Sequence, residues 1–273
     1  PPSAAYRLRT FARRNKRALF TASLAALVML LGVGAIGGSA GYLVRDRAVR
    51  FTETVRAVET ARDEANTFEQ QAKWPAALGA AQRAQAFADS QAGNNELRAR
   101  VQQRIKDLTM VLRVEDIRLE VSAVQDDTFD VRLGDRLYAQ AFRDYGMDVE
   151  ALSPEEGAQR MPEGAIRSEL AAALDHWAQL HRLITVSDTH AWQHLLAVAR
   201  ATDLDPWRNR LREAWIKNDS KTAQELAASA HRESLHPSQV NLTQWLLDRK
   251  EYVALLRDAQ FRHPEDFWLN HDL

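Results

Sequence analysis

The 273-residue chain contains no cysteine. Disulfide staples, thiolate-held metals and cysteine nucleophiles are therefore excluded, and the fold must be held by packing and by polar contacts alone. Acidic residues are missing from the first 44 positions, where Arg7, Arg9, Arg13, Arg14, Lys16 and Arg17 are the charged groups. A convincing alternation of apolar and polar residues is also lacking, so no β-sheet is expected.

The first thing present is a long uncharged run. From Ala18 to Val44, 27 residues carry no charge. As a helix such a run extends roughly 40 Å, enough to cross a hydrocarbon core of roughly 30 Å. Within it Gly32, Gly34 and Gly37 spell G-x-G-x-x-G. A dinucleotide loop needs a β-branched strand before the first glycine and an acid at the end of a second strand about 20 positions on. Here residues 21–31 are rich in Ala and Leu, and residues 51–61 have helical spacing. The run therefore reads as a transmembrane helix over residues 18–44. A cleaved signal peptide fits poorly, since its apolar core spans about 7 to 15 residues. Gly34 with Gly38, and Gly37 with Gly41, stand four apart and form a small-residue stripe where a second copy of the helix would pack as a homodimer.

The bias of Lys and Arg toward the N-terminal side of this run puts residues 1–17 in the cytoplasm and residues after 45 outside the cytoplasmic membrane. Removing those six basic residues from the 36 in the chain leaves 30 against 37 acids, a formal charge of about −7 for the remainder. A clustered basic surface is not apparent there, so nucleic acid is not an expected partner. The chain opens Pro-Pro without an initiator Met and closes on what reads as the start of another helix, so a fragment of a longer protein is expected.

The remainder is read as helices. Ala48, Phe51, Val55, Val58, Ala65, Phe68 and Ala72 recur mostly at three and four, an amphipathic stalk over residues 45–72. A helical region follows over 73–150, then a linker over 151–164 within a stretch holding two prolines and two glycines. Residues 165–273 read as hairpins of helices at 166–184, 190–201, 206–217, 221–232, 237–247 and 252–262. The expected fold class is all-α, with one transmembrane helix followed by a helical-hairpin, tetratricopeptide-like α-solenoid. The repeat likeness rests on the last pair, where Leu256, Ala259 and Pro264 fall at the bulky, small and terminating positions of that motif.

Four blocks carry a wider likeness: AVQDDTFDVRLGDRLYAQAFRDYGMDVEAL (123–152), IRSELAAALDHWA (166–178), DPWRNRLREA (205–214) and HPEDFWLNHDL (263–273). Together with the basic segment RLRTFARRNKR they resemble the region after the kinase domain in bacterial, membrane-anchored, eukaryotic-like serine/threonine protein kinases with tetratricopeptide repeats. The resemblance implies a membrane anchor and a helical-repeat interaction or sensor region of a receptor-like kinase, with the catalytic domain missing from this chain. Its partners would be proteins or peptides and membrane lipid. A membrane-tethered repeat scaffold without enzymatic activity is the alternative, and a hydrolase within residues 123–200 is a third reading.

No catalytic residue transfers from that family. His181-Arg182 is followed by Leu183 and His231-Arg232 by Glu233, so H-R-D is absent, and Asp266-Phe267 is followed by Trp268, so D-F-G is absent. His190 and His194 have i, i+4 spacing suited to zinc, but Ala191 stands where a metalloprotease needs Glu. Asp175 beside His176, and Asp188 near His190, suggest a triad without a nucleophile-elbow serine. No cofactor or metal ligand is assigned in this chain. Asn218 and Asn241 open glycosylation sequons that a bacterial host leaves as coincidences. Trp177, Trp192, Trp207, Trp215 and Trp245 are mainly core candidates, and Trp192 and Trp207 are the candidates for a partner groove.

Overall fold

The structure is a computed structural model that describes residues 52–90, 95–122, 130–185, 189–229, 240, 243, 247–262, 264, 269 and 270. These are helical or connecting, with no strand among them. The helices are α1 (residues 52–70), α2 (Trp74–Asp89), α3 (Asn95–Ser122), α4 (Val131–Tyr145), α5 (Pro154–Arg160), α6 (Ala165–Ile184), α7 (Thr189–Thr202), α8 (Pro206–Lys217), α9 (Ser220–Ser229) and α10 (Arg249–Arg262).

The expectation of a single-pass membrane protein is corrected here. Among the described residues no helix is long and apolar enough to cross a membrane. The expected span over 18–44, with Gly34, Gly37, Gly38 and Gly41, lies outside the described residues, as do the basic segment 1–17 and the start of the stalk. The described residues are all-α, and none of their helices is a membrane-spanning element. Of the expected helix 237–247, Val240, Thr243 and Leu247 are described, and all three are buried.

Local chemistry explains the ends of the elements. Asp130 caps α4, its carboxylate accepting from the Leu133 N–H at 2.8 Å, and Gly146 ends α4 at φ 97°, a left-handed conformation that glycine adopts without strain. The expected linker contains α5, which a capping box starts: Ser153 accepts from the Glu156 N–H, and Glu156 accepts from the Ser153 N–H. Pro154 occupies the first turn, where its missing N–H costs nothing. Asp205 caps α8 by accepting from the Arg208 N–H at 2.9 Å, with Pro206 next.

Hairpins stack around one core. The pairs α2–α3, α3–α4, α6–α7 and α8–α9 pack together, α4 and α3 lie against α6, and α5 covers α7. A continuous apolar cluster runs from Trp74 through Leu108, Phe142, Leu174, Trp177 and Leu211 to Leu256 and Leu269. A smaller one, Val58, Ala61, Ala84, Ala88 and Val101, seats α1 on α2 and α3 through short side chains that let the helices come close. Of the described glycines, Gly134 is the most tightly enclosed: a Cβ there would lie 2.5 Å from Val121 Cγ2 and 2.7 Å from Leu180 Cδ1. Three helices, α3, α4 and α6, meet there because α4 has no side chain at that position.

Candidate functional site

The polar residues that the sequence offers for chemistry converge on the seams between helices. On α8, Arg208, Leu211, Arg212 and Trp215 share one face by their three- and four-residue spacing. Arg212 therefore points inward with the apolar stripe, and its side chain is 1% exposed. It donates from Nε to Asp175 Oδ1 at 2.8 Å and from Nη2 to Asp175 Oδ2 at 2.7 Å. Nη1 donates to Asn209 Oδ1 at 2.8 Å and lies 2.9 Å from Asp203 Oδ2. Asp203, in the turn between α7 and α8, also pairs with Arg208 and accepts from the Asp205 N–H at 3.1 Å. Two carboxylates and two guanidiniums thus form a balanced, nearly dry cluster joining α6, the turn and α8.

Electrostatics follow from that burial. Burial opposes the charge on Arg212, but Asp175 and Asp203 outweigh it and push the guanidinium further above the ordinary arginine range. Burial pushes the Asp175 carboxyl up, against the pull of Arg212. Burial acts the same way on Asp203, yet its hydrogen bond to Arg208 and the charge of Arg212 hold it below the usual carboxylate range.

A second seam joins α4 and α6. The Tyr138 hydroxyl oxygen lies 2.8 Å from His176 Nδ1. Asp135 Oδ1 accepts from Trp177 Nε1–H at 2.8 Å and lies 2.8 Å from His181 Nδ1. Tyr138 and Phe142 both stack on the Trp177 ring. Burial drives His176 down to about 3, so its imidazole is neutral, and drives the Tyr138 phenol well above its ordinary value. A third seam joins α1, α3 and α4: Arg104 pairs with Glu69 and donates to Asn66 Oδ1 at 3.3 Å, while Tyr145 donates its hydroxyl to Asp107 Oδ1 at 2.6 Å.

The candidate residues from the sequence are distributed as follows. Asp175 and His176, adjacent in the chain, are separated in function: the first faces Arg212 and the second Tyr138. His194 donates from Nε2–H to the Val149 carbonyl at 3.0 Å, which holds the turn between α4 and α5 against α7. Among the described residues no group of three or more His, Asp or Glu is gathered as a metal site. Asp188 and Trp245 lie outside the described residues. Trp192 and Trp207, expected in a partner groove, are packed inside at 5% and 8% exposure. Trp207 donates from Nε1–H to the Leu226 carbonyl and Ser229 Oγ, both at 3.3 Å, which closes the α8–α9 hairpin. Trp192 lies on Trp215 with ring centroids 5.4 Å apart, and Arg182 covers both rings.

The roles of Arg212 and Asp203 were missed in the sequence, although a signal exists. An arginine on the apolar stripe between Leu211 and Trp215 is a charge that needs an inward partner. Comparison with known proteins adds no relative: no family model matches the chain, and neither a curated protein nor a solved structure matches it.

Proposed function

We propose that the helical region from residue 52 onward is a non-catalytic interaction module that binds a protein or peptide partner, in a protein whose parent class is the bacterial eukaryotic-like serine/threonine kinase. One observation carries the module reading. Asp135, Asp175, His176, His181 and Arg212, the groups best suited to chemistry, each tie one helix of the stack to another. A stack of hairpins held in register presents fixed helix faces, the kind of surface that recognises extended or helical segments.

The parent class rests on the sequence blocks. Three of them supply ties: 123–152 holds Asp135, Tyr138, Phe142 and Tyr145, 166–178 holds Asp175, His176 and Trp177, and 205–214 holds Arg208 and Arg212. The blocks that resemble the kinase family thus supply part of these ties, while Glu69, Arg104, Asp107, His181 and Asp203 lie outside them.

Sequencing the coding DNA upstream of residue 1 tests the parent class. An in-frame glycine-rich loop, H-R-D and D-F-G supports it, and a different enzyme or an immediate start codon contradicts it.

A further inference from the structure

Arg182 near the end of α6, Trp192 in the first turn of α7 and Trp215 in the last turn of α8 meet in one place. The indole centroids are 5.4 Å apart with planes at 46°, and Arg182 Cζ lies 5.0 Å from the Trp192 centroid and 5.5 Å from that of Trp215. Both tryptophans are buried, whereas Arg182 is only half-buried and lies over them. Among the described residues the guanidinium meets no acid and no acceptor, so two π faces are what hold it. That distinguishes it from Arg104, Arg208 and Arg212, each of which has a carboxylate.

The tryptophan beneath it is also exceptional. Trp177 and Trp207 both place the indole N–H on an oxygen. Trp215 Nε1–H is buried with no acceptor among the described residues. A buried, unused donor costs stability unless something arrives to accept from it. The arrangement therefore offers two aromatic faces that attract a cation, one of them on a ring whose N–H is unused.

We propose that Trp192 and Trp215 are a clamp for an arginine side chain of the partner, and that Arg182 is the resident cation which that arginine displaces. The inference rests on the reading of this region as a protein-binding module, and it supplies the chemistry of the partner. An arginine fits because the resident is one, its flat guanidinium covering both rings at once. The exchange is close to neutral, since the incoming group makes the contacts the resident gives up. A lone arginine therefore competes poorly, and a partner that adds contacts of its own wins.

The test is a titration of the nitrogen-15-labelled chain with N-acetyl-arginine amide, and with the neutral isostere N-acetyl-citrulline amide as control. The readout is the indole N–H signals of Trp192 and Trp215, assigned with Trp192→Phe and Trp215→Phe. In Arg182→Gln both signals are expected to shift saturably, with apparent affinity roughly tenfold tighter than in the native chain, and to stay still with citrulline. No saturable shift in that variant, or an equal response to citrulline, overturns the clamp. Arg182→Lys keeps a cation over the rings and decides the matter if Arg182→Gln does not fold. Tighter binding than native supports the clamp, and binding equal to native or absent overturns it. Because the probe is a single residue, a null result leaves partner binding at another surface standing. Conversely, a working clamp with no peptide binding anywhere overturns the module reading alone.

Discussion

Arg212 on α8 clasps Asp175 on α6 through two parallel hydrogen bonds, at 2.8 and 2.7 Å, with both side chains almost wholly out of water. Bidentate pairing fixes direction as well as distance, so α8 cannot slide or turn on α6 without breaking it. Replacing Arg212 with Met leaves Asp175 and Asp203 buried without their shared cation. The expected loss is about 3–5 kcal/mol, because uncompensated buried charge costs more than the pair contributes. Urea unfolding checks this, and Asp175→Asn combined with Arg212→Met is expected to recover part of the loss.

Gly134 is the most tightly enclosed of the described glycines. Alanine there gains roughly 1 kcal/mol of helix propensity, but its Cβ would lie 2.5 Å from Val121 Cγ2 and 2.7 Å from Leu180 Cδ1. Two opposing clashes on different helices win, and Gly134→Ala is expected to destabilise by about 1–3 kcal/mol. Adding Val121→Ala relieves the nearer clash and restores part of it. Gly157→Ala is the milder case, since Val198 Cγ1 at 2.8 Å is its one severe contact. Thermal unfolding of both variants is expected to rank them in that order.

His176 makes stability depend on acid. Its folded value, about 3, lies below the ordinary 6.5, so between these limits the unfolded chain binds the extra proton. Stability from this group is complete above about 6.5 and is lost as pH falls toward 3, at up to about 1.4 kcal/mol per pH unit. His176→Gln keeps a polar group beside Tyr138 and removes the titration. Unfolding measured from pH 4 to 7 is expected to show a shallower slope in that variant.

Glu69 acts with the opposite sign. Burial raises its carboxyl above 4.5, with Arg104 pulling it back and Asp107 adding to the rise. The folded state then holds the proton more tightly than the unfolded one, so this contribution is present below the ordinary value and fades as pH rises through the raised one. One carboxylate oxygen, Oε1, is buried without a hydrogen-bond partner among the described residues. Glu69→Gln is expected to remove this alkaline-going loss, checked by the same unfolding series with amide exchange in α1.

Much of the helix pattern is legible in the sequence, and the ties are not. Periodicity locates α8 from Pro206 and α6 to Ile184 because apolar spacing and proline mark those ends. The stretch at 151–164 reads as a linker on its prolines and glycines, yet Ser153-Pro-Glu-Glu156 is a capping box that starts α5. Asp175 and Arg212 lie 37 positions apart, Asp135 and His181 46 apart. Spacing along one helix cannot pair such residues; only the stacking of hairpins does. Trp192 and Trp207, read as candidates for a partner groove, lie packed at 5% and 8% exposure for a related reason. Aromatics on an apolar stripe belong to whichever helix packs over them, and here that is the neighbouring hairpin.

The most direct measurement pans a displayed peptide library against the purified chain and follows the recovered peptides by calorimetry. Saturable one-to-one binding tighter than about 100 μM, with the peptides recovered unchanged, is the predicted result. Absence of saturable binding across the library, or cleavage or modification of the peptides by the chain, would contradict a non-catalytic interaction module.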